Sequence, residues 1–384
     1  MDKETLSNYG WIVVCVMVLA VLLALAGPFG TFVAGAVKST TAGLFGVNQN
    51  ALDAAGITIG DQVFENCEHL ETEIRNTTAD YSGDTCCKEC GKILGTGTYM
   101  IPEGGKYTAA DGTIYNPGDG FPETVTTGDK YQYGDYEYRY NEDYGARNGG
   151  WVVDESLNGW GVRYINRNKA VPDAILKTIN NRPIVSLHAT FRECTALTTA
   201  PEIPNTVCDL SYTFYACSSL KTYANSGATD GDFSAYVVPE SVINMYGSFG
   251  STPLTIPPVI PQYVTNMANT FSQCSNLAEF PNIPNGVTNM RMTFFYCGSL
   301  TDATGVVIPA SVTDIADCFQ YCTSLAGTMK IDCNPEIYSY CFQAVNFKTQ
   351  NLTLAGDSTM IDAIGSSSNS SYCRTCNGHC NGNH

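Results

Sequence analysis

The second half of the chain repeats one phrase. IPNTVCDLSYTFYACSSL begins at Ile203, IPQYVTNMANTFSQCSNL at Ile260, IPNGVTNMRMTFFYCGSL at Ile283 and IPASVTDIADCFQYCTSL at Ile308, so the template is IPxxVTNMxxTFxxCxxL. The repeat phenylalanines are Phe191, Phe214, Phe249, Phe271, Phe294, Phe319 and, in a degenerate copy, Phe342, with successive spacings of 23, 35, 22, 23, 25 and 23 residues. A unit this short cannot bury an apolar face alone, so neighbouring units must stack, and the period predicts a solenoid of about seven rungs. Such a scaffold presents a long repetitive surface, the usual property of a binding protein.

Within a rung, VTNM predicts a short strand whose Val264 and Met267, or Val287 and Met290, face inward or flank the turn. TFxxCxxL sets Phe, Cys and Leu three residues apart, the spacing of a single helical turn presenting one face. IP opens the next rung, because proline fixes its own backbone angle and stops a helix. Three internal ladders follow: the phenylalanines; Cys194, Cys217, Cys274, Cys297 and Cys322; and the leucines. The ladder cysteines read as small buried hydrophobes. Thr252 departs from the pattern in the Phe249 rung.

Cys318 and Cys341 precede Phe319 and Phe342 where other copies carry threonine. Rungs stack at about one strand spacing, ~4.8 Å, which brings these two thiols into contact and makes them a candidate disulfide. The long step carries the insertion TYANSGATDGDFSA between Leu220 and Val238, expected to bulge from one face. Its Asp230 and Asp232 are either a cation site or a solvated turn.

The VTNMxxTFxxCxxL core resembles the BspA-type leucine-rich repeat family of bacterial surface proteins, over about residues 180 to 345. That resemblance implies a right-handed solenoid, exposure at the cell surface and a role in adhesion to host or neighbouring cells.

Ahead of the repeats the chain changes character. From Trp11 to Val37 it is almost wholly apolar, and as a helix this run would be roughly 40 Å long, more than a bilayer requires. Ala26, Gly30 and Ala34 form a small-xxx-small face suited to close helix packing and self-association. A removed signal peptide, cut near Ala24-Leu25-Ala26, is the competing reading. The layout is similar to that of type IV pilin-like subunits, and Glu4 precedes the apolar run as in those proteins, but no glycine marks a processing point there.

Residues 57–180 alternate turn signals with Tyr-rich segments such as KYQYGDYEYRY, which predicts short antiparallel strands. The row Tyr131, Tyr133, Tyr136, Tyr138 and Tyr140 reads as cross-strand packing or as a sugar-stacking platform. VPDAILKTINN, from Val171, reads as a short helix capping the solenoid. Outside the repeats, the knuckle pairs Cys87/Cys90 and Cys373/Cys376 have zinc-site spacing, with disulfides as the alternative in an exported chain.

The sequence therefore predicts an α+β protein. A long apolar amino-terminal helix with a polar extension spans 1–56, a small Tyr-rich β domain 57–180, a leucine-rich-repeat solenoid 181–345 and a Cys-rich tail 346–384. The net charge of −17 argues against nucleic acid as a partner. HExxH, GxSxG and phosphate-binding glycine motifs are absent from the sequence, so neither an enzyme nor a cofactor is expected. The expected partners are a protein or glycan ligand outside the cell, and the membrane or other copies through the helix. Function divides between a membrane-anchored display protein mediating adhesion and a structural subunit of an extracellular filament.

Overall fold

A computed structural model describes residues 100–145, 150–226 and 230–367, together with the backbone of three strands, β1 (Thr72–Arg75), β2 (Asp84–Cys87) and β3 (Ile93–Gly95). The chain forms two compact units, Met1–Asn76 with Gly83–Gly97, and Thr77–Ser82 with Thr98–His384. In the first, β2 lies between β1 and β3 in an antiparallel sheet, with Thr72 opposite Cys87.

The second unit begins with a seven-stranded sheet. Its strands are β4 (Lys106–Thr108), β5 (Ile114–Tyr115), β6 (Lys130–Tyr133), β7 (Tyr136–Tyr140), β10 (Trp160–Tyr164), β11 (Thr178–Ile179) and β12 (Arg182–Ser186), in the order β11-β12-β10-β7-β6-β4-β5. β8 (Glu142–Gly145) and β9 (Gly150–Val153) form a separate hairpin. Cross-strand register aligns Tyr107, Tyr131, Tyr138 and Val162 in one buried row. Buried tyrosines need partners for their hydroxyls: Tyr107 donates to Asp129 at 2.5 Å, Tyr136 to the Asp173 carbonyl at 2.7 Å and Tyr140 to Asn158 at 3.1 Å. The tyrosine row is packing.

β12 runs straight into the repeats. Ser186 at its end makes a parallel bridge to Asp209, and the Phe191 ring packs on Tyr164 at 5.0 Å. The sheet thus covers the first rung, the place assigned from sequence to a short helix. Residues 171–177 are not helical. Asp173 donates its N–H to Asp135 and accepts from the Tyr136 hydroxyl, and the Leu176 N–H bonds to Tyr138, so the sheet's side chains claim the backbone groups a helix would use.

Each rung repeats one backbone pattern. Four N–H groups donate to the next rung; in the Phe271 rung Met267, Asn269, Phe271 and Gln273 donate to Asn289, Arg291, Thr293 and Phe295. Within the rung the chain turns every three residues, as when Thr293 bonds back to Met290, Cys297 to Phe294 and Leu300 to Cys297. Two residues per rung hold left-handed angles, such as Asn269 and Gln273 (φ 57° and 61°) or Met292 and Tyr296 (54° and 59°), and only in the Phe249 rung is one of them a glycine, Gly247. The expected helical turn is therefore a chain of tight turns, because a left-handed residue before each Phe and each Cys breaks helical continuity.

Every letter of VTNM and TF has a structural duty. Val264, Val287, Met267 and Met290 are buried. The outer threonines bond the preceding rung, Thr288 to the Thr265 carbonyl and Thr313 to the Thr288 carbonyl, both at 3.2 Å. The Asn or Asp caps its own turn, as Asn266 accepts from the Ala268 N–H and Asn289 from the Arg291 N–H. The buried Thr before Phe faces two main-chain carbonyls, Thr270 lying 2.8 Å from Met245 O and 2.7 Å from Met267 O.

The insertion does more than bulge. Phe233 and Tyr236 are buried and pack on Tyr223, Phe214 and Phe249, and the Tyr236 hydroxyl donates to the Pro201 carbonyl. At the far end β13 (Val307–Ile308), β14 (Gly327–Ile331) and β15 (Leu352–Gly356) form a parallel sheet. The helices α1 (Phe347–Gln350) and α2 (Ser358–Ser366) add Phe347, Ile361 and Ile364 to the core.

The α+β expectation with a long apolar helix is corrected by these elements. Among the described residues strands and turns dominate, the two helices are short, and none is long and apolar enough to cross a membrane. Residues 1–56, with Ala26, Gly30 and Ala34, lie outside the described residues.

Candidate functional site

The ladder residues are the inside of the solenoid. Phe191, Phe214, Phe249, Phe271, Phe294, Phe319 and Phe342 form one continuous stack, with centroids 5.1 to 6.0 Å apart. The ladder thiols are free and buried, and they donate to the phenylalanine carbonyl of the preceding rung: Cys217 to Phe191 at 3.0 Å, and Cys274, Cys297 and Cys322 to Phe249, Phe271 and Phe294 at 3.1 Å. Each of those carbonyls also accepts the N–H of its own rung's third residue, so both lone pairs are used. Cys194, in the first rung, has a longer contact, 3.9 Å to the Arg192 carbonyl. Thr252 changes the partner: its hydroxyl lies 2.6 Å from the carbonyl of its own rung's Phe249 and 3.5 Å from Cys274 Sγ. Burial pushes the Cys274 thiol up to about 11 and the Cys322 thiol to about 12, which removes thiolate reactivity at neutral pH.

Cys318 and Cys341 are also buried and free, so the expected bridge is not formed. They occupy the threonine position, where side chains are aimed at main-chain carbonyls, as Thr293 is toward Met267 O and Met290 O. Asp232 caps the Ser234 N–H and Asp230 pairs with Lys221 at 3.5 Å, so these carboxylates serve the turn. Cys87 ends β2, while Cys90, Cys373 and Cys376 lie outside the described residues.

The outward positions differ from rung to rung, and those of the first rungs gather aromatic and basic groups. Tyr212 meets Tyr215 at 5.5 Å and Tyr246 at 4.9 Å, both edge to face, and the Arg192 guanidinium lies 4.9 Å over Tyr212 and 5.3 Å over Tyr215. Gly247 and Gly250 make this possible, since a Cβ at either would come within 2.8 Å of the Tyr212 or Tyr215 ring. The template phrase gives no hint of the patch, although the non-template letters Y, R and G at these places were its available signal.

Beside it, Asp143 from the β8 hairpin, His188 from the first rung and Asp209 from the second bring their ligand atoms within 4.8 Å of one another. Asp143 accepts from Ser186 at 2.5 Å and lies 3.2 Å from His188 Nδ1. Burial pulls the His188 pKa down, but the Asp143 hydrogen bond and the charges of Asp143 and Asp209 outweigh it, so the net shift is upward. Burial and the neighbouring Asp143 raise Asp209. The set has the donor types for a small cation, and a protonated His188 supplies the same charge between the two carboxylates. Sequence reading missed it because 45 residues separate Asp143 from His188 and no motif links them.

No curated protein matches the chain. Among solved structures, the chain is similar to the crystal structure of the leucine-rich repeat protein TpLRR of T. pallidum, at 20% identity over 49% of this chain and 85% of that one, with a TM-score of 0.37. It is also similar to a leucine-rich repeat protein from Bacteroides ovatus ATCC 8483, at 17% identity over 56% and 69% of the two chains, with a TM-score of 0.27. Residues 247–369 match the family model described as BspA type Leucine rich repeat region, in six copies, which places that segment of the solenoid with the BspA-type repeats.

Proposed function

We propose that this chain is a non-catalytic repeat protein displayed at the cell surface, where it mediates adhesion by binding a partner protein through the Arg192, Tyr212, Tyr215 and Tyr246 patch. The observation that carries this reading is the division of labour in the rungs: Phe, Cys, Leu, Val and Met fill the interior, while Arg192, Tyr212, Tyr215 and Tyr246 gather at half-buried positions outside it. Tyr and Arg are the residues that dominate binding energy at protein interfaces, because they offer large rigid contact area with a polar end. The BspA-type match supports it, since such repeats are typically found on bacterial surfaces and leucine-rich repeats generally bind proteins.

The test is surface plasmon resonance of the full chain against extracellular matrix proteins, comparing the wild type with a Tyr212→Ala/Tyr215→Ala variant. Loss of two interface anchors is expected to weaken binding by about thirtyfold or more, roughly 2 kcal/mol. Gly250→Ala should weaken it too, by pushing Tyr215 aside without removing any patch side chain. A panel with no binder, or unchanged affinity in the double variant, contradicts the proposal.

A further inference from the structure

A second aromatic cluster lies three rungs further along the solenoid and has different chemistry. Tyr296 and Tyr321 occupy the same place in successive rungs, with rings stacked at 4.1 Å and 26° and Phe295 set edge-on to both. Both tyrosines hold left-handed backbone angles, φ 59° and 63°, and their N–H groups donate to Gln320 and Gln343 of the following rungs. The ladder therefore fixes the backbone that carries the two rings, and Tyr296 remains 45% exposed. In the preceding rung the same position is Gln273 and in the following one Ala344, so no further ring continues the column.

The sequence next to the rings is uncharged, and the charged pair in the same two rungs, Arg291 with Asp317 at 3.6 Å, is engaged with itself. No charged residue occurs from 271 to 278, 294 to 301 or 319 to 329, in a protein whose net charge is −17. The neighbouring positions carry amides and hydroxyls: Gln273, Ser275 and Asn276 in the preceding rung, and Thr323 and Ser324 just after Tyr321 in its own, all exposed. A preorganised aromatic platform ringed by neutral donors and acceptors lacks the groups that would select an ion or a phosphate backbone. It suits a ligand with an apolar C–H face and neutral hydroxyls around its edge.

We propose that Tyr296 and Tyr321, with their rim of amides and hydroxyls, form a binding site for a neutral glycan, one sugar ring stacking on the tyrosines. The site is separate from the Tyr212 patch and does not rest on the protein-binding reading. Sugar recognition thus belongs to this corner of the solenoid and not to the Tyr131–Tyr140 row, where Tyr131, Tyr136, Tyr138 and Tyr140 are buried in the sheet core and Tyr133 is half-buried against it.

The test is an array of printed oligosaccharides, neutral hexose and N-acetylhexosamine polymers beside acidic ones, probed with the full chain and followed by calorimetry on the best binder. At least one neutral oligosaccharide should bind, and its affinity should survive about 0.5 M salt, where the Debye length is only a few ångströms. Tyr321→Ala and Tyr296→Ala should each weaken that binding at least about tenfold. Thr323→Arg, an exposed change, should do the same without touching the interior, and Tyr212→Ala should leave glycan binding intact. Binding confined to acidic glycans, to matrix proteins, or to nothing on the array would overturn the proposal. So would a Thr323→Arg chain that binds the neutral glycan as well as the wild type does.

Discussion

Replacing Phe294 with alanine probes the scaffold where it is most regular. The ring is fully buried between Phe271, at 6.0 Å and 6°, and Phe319, at 5.6 Å and 15°, with Phe280 edge-on at 5.1 Å. Deleting it opens a cavity that the neighbouring rungs cannot close, because four main-chain bonds on each side hold the rung spacing. The expected cost is about 3–5 kcal/mol. Phe294→Leu keeps most of the volume and loses mainly the ring stacking, so it should cost about 1–2 kcal/mol. The array need not unfold in one step, so urea unfolding should be paired with amide hydrogen exchange, which reads each rung locally. In Phe294→Ala the protection of the Phe271 and Phe294 amides should fall about a hundredfold or more. A cost below about 1 kcal/mol, or equal costs for the leucine and alanine variants, would refute the internal ladder.

Other consequences are more local. Thr293→Val removes a buried hydroxyl that serves two carbonyls and should cost about 1–3 kcal/mol by urea unfolding; a neutral result would mean the carbonyls are satisfied without it. The ladder thiols Cys274, Cys297 and Cys322 should resist a thiol reagent in the native chain and react on denaturation, and prompt native labelling would place them at the surface. The raised His188 pKa favours the protonated folded state, so its stabilisation is fully present below the unfolded value near 6.5 and is lost as pH rises through the folded value. His188→Gln should therefore destabilise the chain more at about pH 5 than at about pH 8, and the opposite ordering would contradict the cation-like role assigned to this ring.

The solenoid's interior was legible because repetition isolates it. Any position that returns as Phe, Cys or Leu in rung after rung must meet its own copy, and the structure stacks the phenylalanines in that way. The conformation between those positions was not legible. A three-residue apolar step fits a helical turn and a run of tight turns equally well, and what decides between them is a left-handed angle carried by residues as different as Asn269, Met292 and Tyr340. The capping segment failed for a related reason: its helical composition was overruled by Asp135, Tyr136 and Tyr138, more than thirty residues away in sequence. The tyrosine patch and the Asp143, His188 and Asp209 cluster depend on neighbours in adjacent rungs or in the β8 hairpin, and a linear pattern does not show who those neighbours are.

In the proposed division of roles, the repeated positions build the protein while the variable outer tyrosines recognise its partner. One measurement separates these roles: an alanine scan of residues 181–345 in the full chain, scored in parallel for thermal unfolding and for binding to the matrix protein retained in the resonance assay. The predicted result is a clean split, with Phe, Cys, Leu, Val and Met ladder variants losing stability and Arg192, Tyr212, Tyr215 and Tyr246 variants losing binding at unchanged unfolding temperature. If the tyrosine variants unfold the chain, or if binding is lost only where stability is lost, the claim is wrong.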